Sequence, residues 1–214
     1  MGEERLPLFP LQVVLFPGSM LPLHIFEERY KALINECTNG KREFGINLVD
    51  GQRFCPVGCK ASVTQVLQRY DDGRMDIVVQ GGDRYTLLRY GDDVAPYLVG
   101  FVEKLWDRNE QVDNEVARDT VALYNRLIAA AYKDKVQPVP AEAEVDGISF
   151  RLAQKAGMSL RQRQELLELC SENERLRLLH KYLTEVIPRL EDLEELERII
   201  RSDGYLSSDQ NKET

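Results

Sequence analysis

Hydrophobic and polar residues follow different periods in the two halves of this 214-residue chain. In the first half apolar residues alternate with polar ones, as at Met75, Ile77 and Val79, and turn-forming runs such as Asp71–Arg74 separate the segments. A period of two is typical of half-buried β-strands. In the second half apolar residues recur every three or four positions, as in amphipathic helices. The pattern predicts an α+β protein with strands first and helices second.

The first half is predicted to form a mostly antiparallel sheet or barrel that contains one helix. Phe26, Tyr30, Leu33 and Cys37 recur at helical spacing, and Asn39-Gly40 marks the end of that helix.

Two further patterns define the predicted strands. Strict alternation from Cys59 predicts a strand that places Cys59, Ala61, Val63 and Leu67 on one face. The run Gly81–Asp83 is predicted to be a turn between two strands, because glycine adopts turn conformations without steric cost. Short strands joined by tight turns favour a sheet or small barrel.

The second half is predicted to be a helical bundle. Ser159–Gln162 and Ser171–Glu174 both match the capping box that marks a helix start. The last predicted helix is long, and Pro188 should kink it. Its apolar stripe is expected to pack against neighbouring helices; the alternative is a helix that pairs with a second copy of the chain or connects domains. The stripe consists of Leu176, Leu179, Leu183, Val186, Leu190 and Leu193.

These patterns divide the chain into three parts. Residues 1–107 are predicted to form the β-domain, residues 108–203 the helical bundle, and residues 204–214 a polar, flexible tail.

Charge and hydropathy narrow the classes of partner. The chain has 36 acidic and 28 basic residues, a formal net charge of −8. Such a balance disfavours nucleic acid and anionic membranes as partners. No apolar run approaches the roughly 18–20 residues of a membrane span, and the N-terminus does not resemble a signal peptide. A cytoplasmic location is therefore expected.

Motifs for catalysis or metal binding are not found in the sequence. It contains no G-x-x-x-x-G-K-[ST] phosphate loop and no G-x-S-x-G nucleophile elbow. The two histidines, His24 and His180, have no motif that would supply catalytic partners. Cys55 and Cys59 form an isolated C-x3-C pair, whereas a zinc site needs about four ligands. The sequence predicts a binding module without metal or cofactor rather than an enzyme.

Several segments, taken in order, resemble one known family. They are Leu6–Pro10, Val14–Gly18, Leu21–Tyr30, Gly81–Tyr85 and Ile148–Ala153. Together they resemble the N-terminal, substrate-binding domain of the Lon proteases (ATP-dependent protease La), which also occurs as a stand-alone protein.

The resemblance implies a fold and a function. The implied fold is a PUA-like β-barrel followed by a helical bundle. The implied function is binding of unfolded or damaged polypeptides, with a separate protease or ATPase as a further partner. Because the sequence contains neither the ATPase motifs nor the Ser-Lys protease domain of the full protease, the resemblance implies a non-catalytic protein.

Candidate binding residues follow from the proline-rich N-terminal stretch. Prolines there should keep the chain irregular and partly uncovered, so apolar side chains between them could contact a bound polypeptide, with two charged residues at the border. The candidates are Phe9, Leu11, Met20, Leu23, Glu28 and Arg29. The alternative interpretation is that the apolar residues belong to the core and that the charged ones form a local ion pair.

Two other functions remain open from the sequence. One is a scaffold for a dedicated folded protein partner. The other is RNA binding through the PUA-like fold, for which only the dipeptides Arg69-Tyr70, Arg84-Tyr85 and Arg89-Tyr90 provide basic residues beside aromatic ones.

Overall fold

The computed structural model describes residues 2–51, 53–91, 95–132, 135–140 and 147–206. They form an α+β protein of six strands and five helices, as predicted. The elements are β1 (Glu4–Pro7), β2 (Met20–Ile25), α1 (Glu28–Gly40), β3 (Phe44–Asp50), β4 (Arg53–Arg69), β5 (Met75–Gly91), β6 (Val99–Lys104), α2 (Asn114–Tyr132), α3 (Ile148–Ala153), α4 (Leu160–Glu168) and α5 (Glu172–Leu206). None of the helices in these ranges is both long and apolar enough to cross a membrane.

The six strands form one antiparallel sheet in the order β1-β6-β5-β4-β3, with β2 attached to β5. The 17-residue strand β5 is its centre. One edge of β5 pairs with β4, and its other edge pairs first with β2 and then with β6. This topology confirms the predicted antiparallel architecture.

The segment that follows β1 closes the sheet into a barrel. β1 pairs with β6 at one end of the strand order. The next residues then cross to β3 at the other end, where Leu8 and Leu11 form parallel bridges to Gly45 and Leu48. The amide of Phe9 donates to the Gly45 carbonyl at 2.7 Å. One continuous stretch of chain therefore hydrogen-bonds both ends of the sheet.

Helix α1 covers the barrel core with Tyr30, Leu33, Ile34 and Cys37, all buried. Phe9 stacks on Tyr30 with ring centroids 4.1 Å apart. The helix ends at Gly40, as predicted, and Lys41 follows it in the left-handed conformation.

The predicted face of β4 is wrong at Leu67, whose side chain is 55% exposed. Register shifts between Val63 and Gln65 and between Val66 and Gln68 interrupt the alternation. Each bulge adds a residue to one strand and thereby reverses which side chains point inward. Val66 consequently packs against the core and Leu67 points outward.

The predicted turn at Gly81–Asp83 is also wrong, because β5 runs through it without interruption. A Cβ atom at Gly81 would lie 2.1 Å from the carbonyl oxygen of Phe16. The amide of Gly18 donates to the Gly81 carbonyl, and the Gly81 amide donates to the Ser19 carbonyl, both at 2.9 Å. Glycine is present here because another stretch of backbone contacts the strand, not because the chain turns.

The chain divides into two compact units at positions that differ from the predicted boundary. The first unit comprises the chain up to Glu110 together with Gly147–Glu172, so it contains the barrel and helices α3 and α4. Arg84 of β5 links the barrel to the end of α4, because its guanidinium donates to the carbonyl oxygens of Leu167 at 2.5 Å and Leu169 at 2.7 Å.

The second unit comprises Gln111–Asp146 and the chain from Asn173 onward. Arg126 of α2 forms an ion pair with Glu191 of α5 at 2.8 Å. On α5 the predicted stripe is buried at Leu176, Leu179 and Leu183, but Ile187 replaces Val186 and Leu193 is 58% exposed. The helix continues through Pro188 and ends at Leu206, so it includes the first three residues of the predicted tail; residues 207–214 lie outside the described ranges.

Candidate functional site

Strand β2 forms an exposed edge of the barrel. Among the described strands it pairs only with β5. Its side chains alternate: Met20, Pro22 and His24 are exposed, whereas Leu21 and Leu23 are partly buried against the core. The alternation therefore presents every second residue of β2 to solvent.

Large apolar side chains lie on this outer side of the sheet. Met20 is 53% exposed, and Phe26, directly after β2, is 60% exposed. Leu67 of β4 lies across β5 from β2, at the level of Leu23 and His24. The two neighbours of Leu67 in the chain, Val66 and Gln68, pair with the same β5 residues as Leu23 and His24 do. We call this surface the β2 face; it consists of Met20, Pro22, His24, Phe26 and Leu67.

Hydrogen bonds hold the polar part of the β2 face. Nδ1 of His24 lies 2.6 Å from Oδ1 of Asp76, and the Tyr70 hydroxyl donates to Oδ2 of Asp76 at 2.7 Å. Both bonds lower the pKa of Asp76, and the bond with His24 has the larger effect. The bond that Tyr70 makes to Asp76 raises the pKa of Tyr70. The His24 ring stacks on Phe26 with centroids 6.1 Å apart, so Asp76 helps to position an exposed aromatic side chain.

Of the four apolar candidates from the sequence, only Met20 is well exposed. Phe9 is 5% exposed and belongs to the core, which corrects its assignment to an accessible surface. Leu11 and Leu23 are partly buried and pack against the same core. The amide of Leu11 also donates to the Asn47 carbonyl at 3.1 Å, where the segment closes the barrel.

The two charged candidates form ion pairs with residues near them in the sequence rather than with each other. Nη2 of Arg29 lies 2.7 Å from Glu27, and its guanidinium lies over the Tyr30 ring, 4.5 Å from the centroid. Glu28 pairs with Lys31 at 2.8 Å. Both candidates lie in the first turn of α1, which follows Phe26 in the chain.

Sequence reasoning missed Phe26 and Leu67, since helical spacing and strict alternation assigned both to buried faces. For Phe26 the missed signal was the alternation of β2 itself, which extends outward from Met20 through Pro22 and His24 to Phe26. The bulges that expose Leu67 have no comparable sequence signal.

The arginine–tyrosine dipeptides do not form one basic aromatic surface. Arg84 is 4% exposed and also pairs with Asp107, and Tyr85 is fully buried. Arg89 forms an ion pair with Glu3 at 2.6 Å. The structure therefore removes one of the three dipeptides on which the RNA-binding alternative depended, Arg84-Tyr85.

Burial also sets the chemistry of the cysteine thiols. It raises the pKa of Cys59 to about 12 and that of Cys37 to about 11. Within the described ranges, no three His, Cys, Asp or Glu side chains are grouped so that they could hold a metal ion.

Comparison with protein families gives a match over residues 5–185 to the ATP-dependent protease La (LON) substrate-binding domain. The chain belongs to this family. It is 27% identical over 199 residues to a Lon protease of Anaeromyxobacter dehalogenans and 24% identical over 216 residues to one of Cytophaga hutchinsonii. It spans only 23% and 26% of those two proteins, although the alignments cover 83% and 92% of this chain.

Two solved structures have the same fold. The Lon N-terminal domain protein from Xanthomonas campestris is 25% identical, with a TM-score of 0.66 over 82% of this chain and 96% of that one. The N-terminal domain of the Mycobacterium avium complex Lon protease is 18% identical, with a TM-score of 0.63 over 85% and 98% of the two chains. The second likeness concerns the fold alone.

Proposed function

We propose that this protein is a non-catalytic module that binds unfolded or damaged polypeptide segments at the β2 face. The observation that carries the proposal is the exposure of Met20, Phe26 and Leu67, each more than half accessible, on the outer side of the sheet at β2 and β4. Large exposed apolar side chains among polar groups on one face are a feature of protein-binding surfaces. Membership of the substrate-binding domain family supports the same class of ligand.

The composition of the β2 face suits ligands of varied sequence. Methionine is flexible and polarisable, so it adapts to different apolar partners. Pro22 removes one backbone donor from the edge strand, which reduces the tendency of β2 to pair with the edge of another sheet. Side-chain contacts therefore dominate the interaction, and binding should be reversible and little affected by salt.

The proposal includes a cytoplasmic location and delivery of bound polypeptides to a protease or ATPase on another chain. The second part is supported by the likeness to Lon proteases. Self-association through α5 stays a prediction, for which the exposed Leu193 is the supporting feature. Sedimentation equilibrium of the protein and of Leu193→Asp tests it, and identical monomer masses for both would contradict it.

A charge inserted into the β2 face tests its role in binding. The variant Met20→Asp/Phe26→Asp should bind a carboxymethylated, permanently unfolded protein at least about tenfold more weakly, because each carboxylate would have to be desolvated in the complex. Both side chains are exposed, so the fold should survive, which a urea titration checks. Leu88→Asp is the matched control, since Leu88 is a 44% exposed leucine in the other half of β5. Equal losses in both variants would contradict the assignment of the site.

A further inference from the structure

The strand register places three rows of side chains on the outer side of the sheet. Met75, Ile77 and Val79 of β5 are fully buried, so the β5 residues that alternate with them point away from the core. In an antiparallel sheet, directly paired residues project from the same face. Each outward β5 residue is paired on both sides: Gln80 with Met20 and Ser62, Val78 with Pro22 and Gln65, and Asp76 with His24 and Gln68. We call these nine residues the outer sheet surface.

The outer sheet surface is almost free of charged residues. Asp, Glu, Lys and Arg make up 30% of the chain, yet Asp76 is the only one of them among these nine described residues. Both oxygens of Asp76 already have partners. Oδ1 lies 2.6 Å from Nδ1 of His24, and Oδ2 accepts from the Tyr70 hydroxyl at 2.7 Å. A ligand therefore meets a surface that is polar and apolar but carries no unengaged charge.

Charged side chains lie instead beyond the two ends of this surface. Past Asp76, Arg74 pairs with Asp72 at 2.6 Å. Past Gln80, Glu43 extends to the position where a Gly82 side chain would lie, and it pairs with Lys60 at 3.8 Å. A centre depleted of charge inside a polar and charged rim is the usual composition of a protein–protein contact surface.

Three exposed glutamines give the surface its hydrogen-bonding capacity. The side chains of Gln65, Gln68 and Gln80 form no hydrogen bond with any other described residue. A glutamine amide has two N–H donors and one carbonyl acceptor, and a peptide group has one donor and one acceptor. A folded protein pairs its peptide groups internally, whereas an unfolded segment leaves them open. The glutamines can therefore bond the backbone of an unfolded segment without reading its sequence.

The same surface disfavours a charged ligand side chain. An ionised group that is pressed against it would lose water and would find no unengaged opposite charge in return. An uncharged side chain avoids this cost and can contact Met20, Pro22 and Val78.

We propose that the outer sheet surface selects unfolded polypeptide segments that carry no charged side chain, and that Gln65, Gln68 and Gln80 hydrogen-bond to the backbone of the bound segment. This selectivity rests on the proposed function, because the exposed apolar residues of the β2 face provide the contact area beside the glutamines. It adds a substrate class and three contact residues to that function.

Three labelled peptides test the selectivity: fluorescein-Gly-Ser-Leu-Phe-Gln-Phe-Leu-Ser-Gly and its analogues with Glu or Lys at the central position. Anisotropy titrations in about 0.5 M salt screen the long-range field of this acidic protein, and a pH of about 8 lies above the ordinary titration range of histidine. The Gln peptide should bind about fivefold or more tightly than either charged analogue.

The outcomes of this titration separate the two levels of the account. Equal affinity for all three peptides would overturn the selectivity and leave binding at the β2 face standing. Failure of all three to bind would contradict both the selectivity and the proposed function.

Charges added to the surface should reverse the preference. Gln65→Glu/Gln80→Glu should bind the Lys peptide more tightly than the Gln peptide, because the ammonium group then has carboxylate partners. Gln12→Glu/Gln111→Glu is the matched control, since it changes the net charge equally at two exposed positions outside the surface. The control should keep the order of affinities of the parent protein. The same order in both variants would overturn the location of the site.

Backbone recognition is tested by removing donors from both partners. N-methylation of three central peptide bonds of the Gln peptide should weaken its binding to the parent protein about fivefold. In Gln65→Met/Gln80→Met, which keeps the length of the side chains but lacks their amides, the loss should be less than about twofold. Equal losses in both proteins would mean that N-methylation acts only on the peptide itself, and would overturn the role of the glutamines.

Discussion

Gly81 allows two stretches of backbone to touch inside the β-domain. The carbonyl of Phe16 occupies the space where a Cβ atom would be, and the amides of Gly18 and Gly81 bond across the contact. Neither partner is a flexible side chain that could move aside. A residue with any side chain would therefore separate the turn at Phe16–Ser19 from β5.

Gly81→Ala should lower the free energy of unfolding by about 1–3 kcal/mol through overpacking. Gly82→Ala is the matched control, because its Cβ would meet the end of the flexible Glu43 side chain at 3.0 Å. Urea denaturation followed by circular dichroism measures both. Equal stability of the two variants would show that the close approach at Gly81 is not costly.

The buried thiol of Cys59 predicts a loss of stability in alkali. Its pKa rises from an ordinary 9.0 to about 12 in the fold, chiefly because burial disfavours the thiolate. Its contribution to stability is therefore complete below pH 9 and is lost as the pH rises from 9 through about 12. Cys59→Ala should show a shallower decline of the free energy of unfolding over that interval. If the free energy of unfolding of Cys59→Ala declined as steeply as that of the parent protein, the loss of stability could not be assigned to Cys59.

The residues of the β2 face show why single positions are hard to predict. Met20 was identified because proline neighbours indicated an uncovered stretch. Phe26 was assigned to a helix that begins two residues later, and Leu67 to a strand face that bulges reverse. Phe9 shows the opposite error: its stretch is irregular, but it closes the barrel and buries the ring on Tyr30.

The start of helix α4 is defined by its own sequence. Ser159→Ala should destabilise the protein by about 1 kcal/mol, because the Gln162 amide loses its acceptor. Gln162→Glu keeps the reciprocal bond and should retain the stability of the parent protein. Thermal denaturation distinguishes the two. If Ser159→Ala left the thermal stability unchanged, packing alone would position the helix.

Helix α5 contains Pro188 at an exposed position, where proline leaves the carbonyl four residues earlier without its helical donor. Pro188→Ala should raise the free energy of unfolding by about 1–3 kcal/mol, since alanine restores that bond. Arg189→Ala, at the next exposed position, should change it by less than about 0.5 kcal/mol. A destabilised Pro188→Ala would indicate that the interruption of the helix matters for packing.

Elements were predictable where local chemistry defines them. Helix α1 with its end at Gly40, the turn at Asp71–Arg74 and the capping box at Ser159 all follow from neighbouring residues. The continuity of β5 through Gly81 does not, because its cause is Phe16, which is distant in sequence. Local patterns cannot report a contact made by a remote segment.

At the scale of the whole chain, the sequence predicted the order of strands and helices but a different division into units. Helices α3 and α4 belong to the unit of the barrel, and Arg84 of β5 binds carbonyl oxygens at the end of α4, more than 80 positions away. An arginine beside a tyrosine was instead interpreted as a hint of RNA binding. Arg84 is buried rather than exposed, and only the fold reveals this burial.

This protein is expected to hold unfolded polypeptides through apolar contacts. Fluorescence anisotropy tests it directly: one labelled client protein, either native or reduced and carboxymethylated, is titrated at low and at high salt. We expect binding of the unfolded client alone, with an affinity that changes less than about threefold between the two salt concentrations. Equal binding of both forms, or no binding of either, would contradict it and would turn the search to a folded partner.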